Sequence, residues 1–194
     1  MSQVTLTPGF AEPVPAAQSC FRALLEAMSR PGLIQALAAL PEAPAPLAPA
    51  AAAALLTLAD ADTPVWTDAG HAAEQWIRFH AGCPLVDDPA AAAFLLATGA
   101  PPDLALLEAG TEEEPHRSAT LILQVAALEA NAGWTLRGPG IRNTHRLQAA
   151  GLPAGFAAAW TTNAARFPRG VDLVLCAGDR LAALPRTTRI EETR

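Results

Sequence analysis

The sequence predicts an α/β fold, with a single domain in which a mixed β-sheet is flanked by helices. Residues 119–126, ATLILQVA, form a continuous apolar run that is typical of a central strand covered on both faces. Residues 171–176, VDLVLC, are followed by a glycine-containing turn and a second apolar run at 181–184, a pattern that predicts a β-hairpin. Short strands that alternate with helical segments place the chain in the α/β class.

The N-terminal half supplies most of the predicted helices. Residues 1–15 contain three prolines and predict an extended arm. The next segment, 16–29, carries Phe21, Leu24, Leu25 and Met28 at helical spacing, and Pro31-Gly32 should end this helix. Further along the chain we expect a loop at 41–49, helices at 50–58 and 72–80, and strands at 65–67 and 94–97.

The C-terminal half is predicted to complete the sheet. A helical turn is expected within residues 101–110, and a further helix over 153–165. Residues 134–136 are expected to pair with the strand at 119–126 across a turn at 131–133. The second run of the hairpin should end at Pro185, because proline cannot donate to a β-ladder. The whole chain, residues 1–194, is interpreted as one domain.

Composition excludes several classes of protein. Half of the 194 residues are hydrophobic, which argues against general disorder. The longest apolar stretch, 47–59, is interrupted by Pro49 and is too short to span a bilayer. The first ten residues lack a basic region followed by an apolar one, so no signal peptide is indicated. We therefore expect a cytoplasmic protein that does not associate with membranes.

Cysteine and lysine usage argues against common cofactors. The three cysteines, Cys20, Cys83 and Cys176, are far apart and lack the spacing of a zinc site, an iron–sulfur cluster or a disulfide framework. The chain has 13 arginines and no lysine. It therefore cannot form a lysine Schiff base with pyridoxal phosphate. The sequence predicts no metal and no cofactor.

Charge is distributed unevenly along the chain. The net charge is −6, yet residues 1–116 hold 3 arginines against 14 acids, and residues 117–194 hold 10 arginines against 5 acids. This asymmetry indicates that the C-terminal part meets an anion. Nucleic-acid binding is not expected, because the chain is acidic overall and has no basic stripe interleaved with aromatic residues.

Two arginine-bearing turns are the main candidates for binding that anion. One contains Arg137, Gly138, Pro139, Gly140 and Arg142, and the other contains Arg186 and Thr187. Glycines permit tight turns and close approach of a ligand, and an arginine fork matches phosphate oxygens. The ends of neighbouring strands commonly form ligand sites in open α/β sheets. Alternatively, Arg186 pairs with an acid such as Asp172 and only stabilises the hairpin.

A second set of candidates lies near the end of the helix at 72–80. Arg78 and His80 are predicted to join the anion site. His80 and Cys83 alternatively form a base and a nucleophile, although a polar helix end without chemistry is the commoner situation. Asp60 and Asp62 similarly have a metal-binding and a helix-end interpretation. The sequence assigns no catalytic residue.

Several long segments resemble the PhnH family, the H subunits of the bacterial carbon–phosphorus lyase system. They are, in chain order, FRALLEAMSRPG, LLTLADADTPVW, RFHAGCPLV, ATLILQVAAL, LRGPGI and VDLVLCAGDRLAALPRTT. The resemblance implies an α/β fold similar to the large domain of pyridoxal-phosphate-dependent transferases, without that cofactor. It also implies a homodimer that joins the G, I and J subunits of the core complex.

The same resemblance implies a function in phosphonate breakdown. The complex couples an alkylphosphonate to the ribose C1 of ATP and displaces adenine, which forms α-D-ribose 1-methylphosphonate 5-triphosphate; the J subunit later cleaves the carbon–phosphorus bond. The chain is then a required subunit of this transferase, inactive alone, with a nucleotide or phosphonate as the possible ligand. Two alternatives stay open: a structural subunit without chemistry, and a stand-alone enzyme that uses His80 and Cys83.

Overall fold

The computed structural model describes residues 7–191, so the first six residues of the predicted arm lie outside the described part. Its helices are α1 Pro13–Ser29, α2 Pro49–Leu58, α3 His71–Ala81 and α4 Phe156–Ala164. Its strands are β1 Gln35–Ala36, β2 Val65–Thr67, β3 Phe94–Ala97, β4 Thr120–Gln124, β5 Ala127–Arg137, β6 His145–Ala150, β7 Asp172–Ala177, β8 Arg180–Leu184 and β9 Arg189–Glu191. Helix α1 begins at Pro13, three residues earlier than predicted. Proline is tolerated there because the backbone N–H groups of the first helical turn have no partner within the helix, so the missing N–H of proline costs no hydrogen bond.

A six-stranded mixed sheet forms the centre of the molecule, and its strand order is β1-β8-β7-β4-β3-β2. Strands β2, β3, β4 and β7 are parallel, whereas β8 runs antiparallel to β7 and β1 antiparallel to β8. The mixed α/β sheet and the central position of β4 are therefore as the sequence predicts. The hairpin of β7 and β8 is confirmed, and β8 ends at Leu184, immediately before Pro185.

Both faces of this sheet are covered. Ile122 and Val174 point into a cluster formed with α1, α2 and α3. Their neighbours Leu121 and Leu173 point the opposite way, into a second cluster that includes Trp160 of α4. Burial on both faces explains why β4 is continuously apolar and does not alternate. Among residues 7–191, no helix is long and apolar enough to cross a membrane.

A second sheet of three strands, in the order β6-β5-β9, was not predicted. Residues 134–136 do not pair with β4, so that prediction is wrong. Asn131 and Gly133 have positive φ angles of 63° and 69°, but they produce a register shift within β5 and not a reversal of the chain. Strand β5 therefore continues to Arg137, pairs with β6 and β9, and buries Leu136 in the second cluster.

Candidate functional site

The two predicted arginine-bearing turns lie side by side. Strand β5 ends at Arg137, which pairs with Arg189 at the start of β9. Beyond Arg137, the backbone of Gly138 approaches the other turn so closely that an added Cβ would lie 2.9 Å from the carbonyl oxygen of Thr187. The structure thus brings Arg137, Gly138 and Pro139 next to Thr187, although through the second sheet and not through neighbouring strands of the main one.

Arg186 is deeply involved in contacts with its own chain. Its Nε and Nη2 donate to the two carboxylate oxygens of Asp172 at 3.1 and 2.5 Å. Its Nη1 donates to the carbonyl oxygens of Pro115 at 2.7 Å and Pro168 at 3.3 Å, and its Nη2 also donates to Ser118 Oγ. The backbone N–H of Arg186 donates to Asp172 Oδ1 at 2.8 Å.

These contacts leave Arg186 little capacity for a ligand. A guanidinium group has five N–H donors, and the acceptors described above account for all of them. The side chain is only 12% exposed. Its role in anion binding stays a prediction, but the geometry favours the alternative in which Arg186 pairs with Asp172 and stabilises the hairpin.

Arg137 and Arg142 are more exposed. Arg137 is 53% exposed, and its Nε forms an ion pair with Glu191 Oε1 at 3.0 Å. Its Nη1 also makes a long hydrogen bond of 3.4 Å to the carbonyl oxygen of Asn143. Arg142 is exposed and has no side-chain partner within residues 7–191. These two guanidinium groups have donors that a bound anion can use.

The glycines of the first turn serve the packing of the chain itself. Gly140 has a φ of +82°, and an added Cβ would lie 2.0 Å from the carbonyl oxygen of Ser29 at the end of α1. Only glycine permits such an approach of backbone to backbone without strain. The glycines of this turn were predicted to allow close approach of a ligand, but at Gly140 the close contact is with the end of α1.

Arg78 and His80 lie elsewhere. They belong to α3, whose Trp76 and Ile77 are buried in the cluster on the opposite face of the main sheet from α4 and β5. His80 Nε2 donates to the carbonyl oxygen of Thr7 at 3.0 Å, and its ring packs against Trp76 with the ring centroids 4.8 Å apart. The structure does not bring these two residues together with the arginine-bearing turns.

The geometry gives little support to a reactive cysteine. Cys83 is buried, and this burial raises the pKa of its thiol, which lowers the fraction of reactive thiolate. Burial likewise raises the pKa values of Cys20 and Cys176. Among residues 7–191, no three His, Cys, Asp or Glu side chains converge as a metal site.

From the sequence, Asp60 has two interpretations, metal binding and a polar role after a helix end, and the contacts of Asp60 favour the second. Its Oδ1 accepts hydrogen bonds from the backbone N–H of Asp62 at 3.1 Å and from Thr63 Oγ1 at 2.5 Å. The hydroxyl of Thr63, followed by that N–H, lowers the pKa of the Asp60 carboxyl.

A groove beside the two turns was not predicted from the sequence. Its volume is about 570 Å³, and it lies between the end of α4, Phe167 and β9. Arg189 and Glu191 of β9 line it, together with Pro139 and Thr187 of the predicted turns. The alternation of exposed Arg189, buried Ile190 and exposed Glu191 was the available signal, but the segment is too short to be recognised as a strand.

Comparison with known proteins identifies the family. The model of the bacterial phosphonate metabolism protein (PhnH) family matches residues 8–191. The chain is 44% identical over 187 residues to the α-D-ribose 1-methylphosphonate 5-triphosphate synthase subunit PhnH of Rhizobium meliloti (strain 1021), covering 94% of each chain. It is 35% identical over 186 residues to the putative C-P lyase subunit protein HtxG of Stutzerimonas stutzeri, covering 91% of this chain and 86% of the other. Because the family match extends across nearly the whole chain, this protein belongs to the PhnH family.

Proposed function

We propose that this chain is a subunit of an α-D-ribose 1-methylphosphonate 5-triphosphate synthase and acts in phosphonate catabolism. The observation that carries the proposal is the end-to-end similarity to the R. meliloti synthase subunit, which covers 94% of both chains. The reaction is the transfer of the ribose of ATP to an alkylphosphonate, and the chain takes part in it only within the complex.

Within that complex, the chain contributes an anion-binding surface at the junction of the two arginine-bearing turns. Arg137, Arg142 and Thr187 are its proposed ligand-binding residues. The support is that Thr187 lines a groove, that Arg137 pairs with Glu191 at its wall, and that the guanidinium groups of Arg137 and Arg142 are exposed. Arg186 supports this surface from within the fold, through the contacts it makes with Asp172.

A structural role without any ligand is the second candidate. The saturated hydrogen bonding of Arg186 and the contact of Gly140 with α1 favour it, because both features stabilise the fold and leave a ligand unexplained. A stand-alone enzyme that uses His80 and Cys83 has less support. His80 already donates to Thr7, and burial raises the pKa of the Cys83 thiol.

We further propose a cytoplasmic homodimer that joins the G, I and J subunits and carries no cofactor. We also propose that the chain forms one domain, because side chains of both sheets and of α4 share one hydrophobic cluster. Its mixed sheet is also consistent with the proposed likeness to the large domain of pyridoxal-phosphate-dependent transferases. Light scattering at tens of micromolar protein tests the dimer, and a monomer mass would contradict it.

Growth on methylphosphonate as the sole phosphorus source tests the function. We expect this chain to restore growth to a bacterial strain that lacks its own PhnH, and Arg137→Ala to reduce that growth with the melting temperature nearly unchanged. Arg180→Ala is the matched control, because Arg180 is an exposed arginine at the start of β8, away from the groove. Full growth with Arg137→Ala would favour the structural candidate. Failure of the unmodified chain to restore growth would contradict the proposed function.

A further inference from the structure

Two arginines face each other on the exposed side of the second sheet. Arg137 and Arg189 are directly opposite in the antiparallel pair of β5 and β9. Directly opposed residues of an antiparallel pair project from the same face with their Cβ atoms close together, and like charges in that position are destabilising. The neighbouring pair in the ladder, Leu136 and Ile190, points into the core. The two arginines therefore project from the opposite face, toward solvent. This arrangement needs negative charge beside it.

Residues 7–191 supply only part of that charge. Glu191 lies on the same face and pairs with Arg137 at 3.0 Å. The guanidinium group of Arg189 has no hydrogen-bond or ion-pair partner among residues 7–191. Within the described part of the chain, the guanidinium group of Arg189 is therefore uncompensated at the wall of the groove.

The rest of the groove is shaped for a small molecule with an apolar part. Its volume of about 570 Å³ is within the range of roughly 300–1,000 Å³ that is usual for ligand pockets. Ala164 and Ala165 at the end of α4 form an apolar side. Phe167 borders the groove and is 63% exposed, so its ring is accessible to a ligand. An exposed aromatic ring near a free arginine is suited to a flat, negatively charged compound.

We propose that this groove binds a nucleoside phosphate, with the phosphate on Arg189 and the base against Phe167. The guanidinium fork of Arg189 donates two hydrogen bonds to phosphate oxygens, which relieves the repulsion from Arg137. The ring of Phe167 stacks on the base. The choice of a nucleoside phosphate among aromatic anions rests on the proposed function, whereas the anion and the flat ring follow from the groove.

Calorimetric titration of the full-length protein tests this with three probes: AMP, ribose 5-phosphate and adenosine. We expect AMP to bind more tightly than either other probe, because each of them lacks one half of the recognised structure. Arg189→Ala should weaken AMP binding about tenfold or more, and Arg189→Lys should have an intermediate effect because it keeps the charge but loses the fork.

Phe167→Leu should weaken the binding of AMP and leave that of ribose 5-phosphate unchanged. Two matched controls should leave all affinities unchanged: Arg180→Ala, and Phe79→Leu, which replaces a ring that is 68% exposed on α3. Melting temperatures of all variants establish that the fold is kept. If Arg189→Ala unfolds the protein, Arg189→Lys decides the question.

The inference is overturned if AMP does not bind at about 1 mM, or if the Arg189 and Phe167 variants bind it as the unmodified protein does. Equal affinity for AMP and ribose 5-phosphate would remove the base from the proposal and overturn the role of Phe167. If the protein restores growth on methylphosphonate but binds none of the probes, this inference fails and the proposed function stands. If AMP binds in the expected pattern without restored growth, the proposed function fails instead.

Discussion

Arg186 and Arg189 are three residues apart in the C-terminal segment, yet their surroundings are opposite. Arg186 is 12% exposed and donates to Asp172, Pro115, Pro168 and Ser118. Arg189 is exposed and faces another arginine, and its guanidinium group has no hydrogen-bond or ion-pair partner among residues 7–191. Both belong to the same excess of arginine in residues 117–194. The role of an arginine therefore follows from the acceptors around it and not from the charge of its segment.

The difference has a topological origin. Arg186 follows β8 within the main sheet, where the start of β7 and the segment before β4 present a carboxylate and carbonyl oxygens. Arg189 begins β9 on the outside of the second sheet, where its ladder neighbour is Arg137. The first position connects three segments of the chain, and the second faces solvent and a groove.

Replacing Arg186 should have the largest effect on stability, and replacing Arg189 should have almost none. We expect Arg186→Ala to lower the free energy of unfolding by about 3–5 kcal/mol, because it leaves the Asp172 carboxylate, itself 23% exposed, without its partner. For a protein of this size, that loss lowers the melting temperature by roughly 6–20 °C. Thermal unfolding followed by circular dichroism measures it.

Arg189→Ala is the control for that experiment, because it removes the same side chain from a position without described partners. Its melting temperature should stay within about 2 °C of the unmodified protein. A small effect of Arg186→Ala together with lost growth on methylphosphonate would contradict the comparison and restore Arg186 as a ligand-binding residue.

The turn between Arg137 and Arg142 is expected to be the next most sensitive. Gly140→Ala should cost about 2 kcal/mol, since it combines a left-handed backbone with overlap against the Ser29 carbonyl oxygen. Gly178→Ala is the matched control: its φ is +58°, but an added Cβ meets nothing within 4 Å. It should cost only about 1 kcal/mol. Equal losses of stability in urea unfolding would show that contact with α1 does not matter.

The main sheet was predictable because its strands carry strong local signals. Strand β4 and the hairpin of β7 and β8 consist of apolar runs that are buried on both faces or end at proline. The second sheet was missed because its members are bulged or short. Asn131 and Gly133 resemble a turn, and β9 has three residues.

The candidate site was predicted in part for the same reason. The two turns are recognisable in the sequence, one from its glycines and proline and the other from Pro185, and Gly138 does lie beside Thr187. The pairing of Arg137 with Arg189 depends on the register of β5 and β9, which no local pattern contains. Arg78 and His80 were predicted to join the site from a helix end whose segment also resembles the family, but the fold places that helix against the other face of the sheet.

The smallest expected effect on stability concerns Glu191, the acid that lines the groove with Arg189 and pairs with Arg137. Glu191→Gln should change the free energy of unfolding by no more than about 0.5 kcal/mol, because its pair with Arg137 is exposed, at 55% and 53%. The substitution also removes one negative charge from the groove wall, so the affinity for AMP should rise about twofold at low salt and less at high salt. Glu129→Gln, an exposed acid on β5 away from the groove, is the control and should alter neither quantity. A fall of several degrees in melting temperature would mean that Arg137 is anchored as firmly as Arg186, and an unchanged or weaker affinity would remove the electrostatic basis of the groove.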